Sequence, residues 1–96
     1  MLLAARALTK VSVVVLTYNR REEVLRTLTH LAALAERPPI IVVDNASSDG
    51  TAQAVARTFP HVEVLRQSRN LGAAGRNAGV ERAGTPYVAF SDDDTW

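Results

Sequence analysis

Val11 to Leu16 (VSVVVL) is a nearly unbroken β-branched apolar run, of the kind that suits a parallel strand covered on both faces. Ile40 to Val43 repeats the pattern and ends on Asp44. Between the two runs, Val24, Leu25, Leu28, Leu31, Ala32 and Ala35 recur at helical spacing. Asn19 and Glu22 form a capping-box-like start to that helix, and Pro38 and Pro39 stop it. A second, shorter helix follows NASSDG, with Asp49 or Ser48 as its cap, Ala52, Val55, Ala56 and Phe59 on its apolar face, and Pro60 at its end. Val62, Val64 and Leu65 alternate with His61, Glu63 and Arg66, the pattern of a half-exposed strand near a sheet edge. Arg76 to Ala83 reads as a third helix closed by Gly84, and Tyr87 to Phe90 as a fourth, buried strand. This β/α alternation predicts an α/β fold: a parallel sheet with right-handed crossovers and helices on both faces.

At 96 residues the chain is at most one domain, with residues 1–10 a leader before the fold and 11–96 the folded part. A 47% hydrophobic and 22% charged composition is that of a globular chain with a core. The net charge is +1 and Lys10 is the single lysine, so no basic stripe marks a nucleic-acid partner. The absence of cysteine excludes disulfides and thiolate metal sites and fits a reducing compartment such as the cytoplasm. No apolar stretch approaches the roughly 18 residues of a membrane span.

The polar residues gather where strands end. Thr17, Tyr18 and Asn19 follow the first strand, Asp44 and Asn45 the second, and Asp92, Asp93 and Asp94 the fourth. In parallel sheets that end is where ligands bind, so these clusters line one cleft. Three consecutive acids repel one another unless a cation neutralises them, and oxygen donors alone select a hard ion, Mg2+ or Mn2+. Asp92 and Asp94, two positions apart, can offer oxygens to one ion, whose other positions water and phosphate would fill; a solvated acidic loop is the plain alternative. Asp44 can accept hydrogen bonds from a base or a ribose, with Asn45, Ser47 and Ser48 as added donors, or can simply close a turn. Tyr18 can stack on a base. Gly72, Gly75 and Gly79, with Asn70, Arg76 and Asn77 among them, suggest a backbone that bends close to something, and Arg76 could face a phosphate. His30 and His61 read as surface residues.

Taken together, VSVVVLTYNR, VVDNASSDGT, NLGAAGRNAG and YVAFSDDDTW resemble, in order and spacing, the N-terminal half of family 2 glycosyltransferases. The resemblance covers residues 11–96 and implies the Rossmann-like GT-A fold, a chain truncated after a DxD-like motif, and a nucleotide-sugar donor. It implies that Asp44 meets the nucleoside, with Thr17 and Tyr18 near the base. Asn70, Gly72, Arg76, Asn77 and Gly79 would line the sugar-nucleotide side. Asp92 would contact ribose or metal and Asp94 the metal, while Asp93 is ambiguous because three acids allow two registers. Asn45 after the first acid is a feature of related rhamnosyl- and galactofuranosyltransferases. The implied reaction is inverting displacement at the anomeric carbon, with a divalent ion stabilising the departing diphosphate. The general base and the site for a glycan, lipid-linked or other acceptor have no counterpart before Trp96, so these residues are expected to bind donor without transferring its sugar. The full-length protein could then work at the cytoplasmic face of a membrane.

Three other folds collect acids or glycines at strand ends. A receiver-like signalling domain needs an acidic pair after the first strand, where Thr17 and Tyr18 stand. A dinucleotide-binding domain needs its glycine fingerprint there too. A haloacid dehalogenase-type phosphatase needs its two acids after the first strand, not the fourth. A non-catalytic nucleotide-binding relative is the remaining rival. Truncation would also leave the fourth strand as an apolar edge open to self-association.

Overall fold

The computed structural model describes residues 10–93. Four strands, β1 (Val11–Thr17), β2 (Ile40–Asp44), β3 (Glu63–Arg66) and β4 (Tyr87–Asp92), form one all-parallel sheet in the order β3-β2-β1-β4. The helices are α1 (Arg21–Ala32), α2 (Thr51–Thr58) and α3 (Arg76–Arg82), the last preceded by a 3-10 turn at Gly72–Gly75. This is the α/β architecture that the sequence predicts, with β3 at an edge.

Alternation along β1 divides the core in two. Val13 and Val15 pack with Val24 and Leu28 of α1 and Val55 of α2, together with Ile40 and Val42. Val14, with Ile41 and Val43, packs on the other face against Ala78 of α3 and Ala83. Each buried valine or leucine contributes roughly 1.5–3 kcal/mol, so the two clusters carry most of the stability of the sheet. Gly79 lets α3 sit this close: a Cβ there would come within 2.5 Å of Val14 Cγ1.

After β1 the chain builds outward through β2 to β3, then crosses back to lay β4 on the other side of β1. The topological reversal thus falls between β1 and β4, and in parallel sheets ligands bind at the carboxyl ends of the strands at such a point. One expectation changes here. The helix α1 takes no side-chain cap from Asn19; Asn19 stands in the left-handed region (φ 51°) and its Oδ1 accepts from Ser48 N at 2.8 Å. Asp49 serves α1 instead, accepting from Arg21 N at 3.3 Å. The strand β4 is largely exposed, with Tyr87 at 65% and Phe90 at 53%, as expected of an open apolar edge. It pairs with β1 alone, and among the described residues nothing covers its far side. No helix among the described residues is long and apolar enough to cross a membrane.

Candidate functional site

Thr17 and Asp44 stand opposite each other in the β1–β2 register, at the carboxyl ends of their strands. Both are buried, Asp44 completely. The chain turns sharply after Asp44 through Ala46, a non-glycine residue at φ 64°. Asp44 Oδ1 accepts from the amide of Ser47 at 3.2 Å and from its hydroxyl, so the carboxylate closes its own turn. Its other oxygen, Oδ2, is buried with no hydrogen-bond partner among the described residues. Leaving such an acceptor unmet costs about 1–3 kcal/mol or more, so a donor to this oxygen, from a ligand or a water, would be stabilising.

The two turns are stitched together. Asn19 N donates to Ser47 Oγ at 2.8 Å, the Asn19 side chain holds Ser48, and Arg66 Nη2 donates to Ser47 O at 3.1 Å. Asp49 accepts from Thr51 N at 3.1 Å and from the Thr51 hydroxyl, bonding the first residue of α2 from one position outside the cap; the cap itself is Gly50, in the left-handed region, and not Asp49 or Ser48 as the sequence suggests. Burial works to raise the pKa of Asp49, but these bonds and the Arg21 amide outweigh it and hold the carboxyl below its ordinary value. Tyr18 projects from the rim, 45% exposed.

The glycine-rich stretch bends against the protein itself. Asn70 Oδ1 accepts from Gly72 N at 2.8 Å, Gly72 takes φ 59°, and its carbonyl accepts from Asn45 Nδ2 at 3.0 Å. A Cβ at Gly75 would meet Asn45 Oδ1 at 2.6 Å, so the buried Asn45 amide and Gly75 are mutually fitted. Asn45 thus lies on the α3 face, holding the loop, with its own Oδ1 otherwise unpartnered. Asn70 and Asn77 are exposed.

The acids after β4 divide between the faces. Asp92 follows Val88 and Phe90 onto the α3 side; its side chain is 75% exposed and one oxygen lies 4.0 Å from Arg76 Nη2. Arg76 also sits over the Phe90 ring, 5.7 Å from its centroid. Asp93 turns the other way: Thr17 Oγ1 donates to its Oδ2 at 3.0 Å, and Arg20 Nε lies 3.4 Å from its Oδ1. Asp94 lies outside the described residues. Thr17 therefore joins Asp44 and Asp93 at the carboxyl end of the sheet on the α1 side, whereas Asp92, Arg76 and Asn45, predicted to line the same cleft, lie toward the α3 side. Arg20 and Thr27, which contact Asp93, were not among the residues singled out by sequence; a hydroxyl within the apolar stripe of α1 was the available signal.

Among the described residues no three acids or histidines converge on a metal position. Asp92 does fit a hard divalent ion in kind, as an exposed oxygen donor that ligand phosphates and water would complement. A cavity of about 580 Å³ lies at the opposite, amino-terminal end of the strands, lined by Ser12, Arg37, Pro39, His61 and Thr85. Its Arg82 and Glu63 pair with each other, and it shares no residue with the acids.

A parallel sheet in the order β3-β2-β1-β4, with its topological reversal at β1 beside a buried acid, is an α/β fold of the GT-A kind. The chain belongs to glycosyl transferase family 2, whose family model matches residues 12–96. It is 38% identical over 93 residues to the putative teichuronic acid biosynthesis glycosyltransferase TuaG of Bacillus subtilis, covering 90% of this chain and 36% of TuaG. Among solved structures it resembles the mannosyltransferase PcManGT from Pyrobaculum calidifontis in complex with GDP-Man and Mn2+, at 29% identity and a TM-score of 0.72, covering 88% of this chain and 27% of that one. TarS of S. aureus in complex with UDP matches at 30% identity and a TM-score of 0.70, over 90% of this chain and 28% of that one. The chain thus spans about a third or less of the proteins it matches.

Proposed function

We propose that this chain is the donor-binding part of a metal-dependent, inverting glycosyltransferase, gripping a nucleoside diphosphate sugar at the carboxyl ends of β1 and β4. The observation that carries the reading is Asp44: a fully buried carboxylate with an unsatisfied Oδ2, held at a strand end beside Thr17. A base or ribose that donates to Oδ2 would recover the lost hydrogen bond, and reaching it requires a neighbouring side chain to move. Tyr18 then stacks on the base and Asn19 keeps the two turns in register. Asn70, Gly72, Arg76 and Asn77 take the diphosphate and sugar side, with Arg76 as its cation. Asp92, with Asp94, would hold Mn2+ or Mg2+, and that ion when bound supplies charge to stabilise the departing diphosphate. The complexes of PcManGT with GDP-Man and Mn2+ and of TarS with UDP support this choice of ligand. We assign the glycan, lipid-linked or other acceptor and the deprotonating base to the part of the relatives that this chain does not span. Donor binding without sugar transfer is the activity expected of these residues.

Amide shift perturbation in the labelled chain, on addition of UDP or GDP with Mg2+, tests the placement. Shifts confined to residues 17–19, 44–48, 70–77 and 91–93 are expected. Perturbation centred instead on the amino-terminal cavity around Arg37 and His61 would refute it.

A further inference from the structure

We propose that α1 sets the donor affinity from a distance, with Thr27 and Arg20 acting through Asp93 as positioning residues for the acidic turn; the inference rests on the donor-binding reading above. Asp93 is the middle acid of its triplet, yet it faces α1 rather than the α3 side. Its side chain is 13% exposed, with Arg20 beside Oδ1 and the Thr17 hydroxyl on Oδ2. Its backbone carbonyl accepts from Thr27 Oγ1 at 3.0 Å. Thr27 is 1% exposed, between Val24 and Leu28 on the stripe of α1 that packs on the sheet. A valine would fill that space equally well, so what the hydroxyl adds is its grip on the turn.

The grip matters because β4 is an edge strand. Among the described residues the β1–β4 register ends at Leu16 opposite Asp92, and Asp93 has no ladder partner. Clamping Asp93 from α1 fixes the peptide that joins it to Asp92, and strand alternation then sends Asp92 to the opposite face, toward Arg76. Removing the clamp leaves Asp92 present but loosely aimed, and the loss of such supporting contacts typically costs about 10–100-fold in metal-site affinity.

The test compares the parent chain with Thr27→Val, Thr27→Ser and Asp93→Asn, measuring Mn2+-dependent UDP and GDP affinity by calorimetry and the urea midpoint of each variant. Thr27→Val is expected to weaken binding about 10–100-fold while remaining folded, Thr27→Ser to restore it, and Asp93→Asn to weaken it comparably. Parental affinity in Thr27→Val and Asp93→Asn would overturn the inference. Should Thr27→Val not fold, Asp93→Asn alone decides the question. A folded parent that binds neither nucleotide would instead reject the donor-binding reading beneath it.

Discussion

Asp92 and Asp93 are neighbours in sequence but serve opposite faces of the sheet: Asp92 leans toward Arg76 on the α3 side, and Asp93 is drawn inward to Thr17 and Arg20 on the α1 side. Strand alternation separates them, and their different surroundings predict different phenotypes.

Asp92→Asn should leave the urea midpoint almost unchanged, within about 0.5 kcal/mol, because the side chain is exposed and its ion pair is long. It should nevertheless lose most metal-dependent nucleotide binding. Asp93→Asn should destabilise by about 1–3 kcal/mol, since it weakens a partly buried, charge-assisted contact. Denaturation and titration on the same samples separate the two effects.

Gly79→Ala should cost about 1–3 kcal/mol, because the added methyl meets Val14 Cγ1 in a packed face. Gly72→Ala meets no atom, so its cost should come from the positive φ alone and be smaller, about 1 kcal/mol. Urea midpoints of the two variants give the comparison.

Asp49 makes stability depend on acid. Its folded pKa lies below the ordinary carboxylate value, so between the two the unfolded chain binds more protons and stability rises with pH. Its contribution is complete above about pH 4–5 and is lost as pH falls through the folded value. The stability difference between parent and Asp49→Asn should therefore be constant near neutrality and shrink in acid. A difference that grows as pH falls would be the contrary result.

The exposed edge of β4 should drive association. Sedimentation velocity is expected to show concentration-dependent growth in mass, suppressed by Phe90→Lys, which places a charge on that edge. A single monomer species at high concentration would contradict this.

Much of the fold is legible because its signals are local. Consecutive β-branched residues mark β1 and β2, alternation of Val62 and Val64 with Glu63 marks an edge strand, and Asp49 before Thr51 marks a helix start. What escapes a linear reading depends on partners far along the chain. Asn19 has the composition of a cap for α1, but Ser48, from the next turn, claims its side chain, and Asp49 takes over the duty. Tyr87 to Phe90 is apolar enough to read as buried, yet burial depends on what lies beside the strand. Three identical acids carry no phase of their own; the Leu16–Asp92 register and the hydroxyls of Thr17 and Thr27 decide which of the first two turns inward.

The most direct measurement is calorimetric titration of the folded chain with UDP, GDP and other nucleoside diphosphates, with and without Mn2+, beside Asp44→Ala. The account predicts binding that strengthens with Mn2+ for at least one nucleotide and is lost in Asp44→Ala. A folded chain that takes up none of them under either condition, or an Asp44→Ala variant that binds as well as its parent, would contradict it.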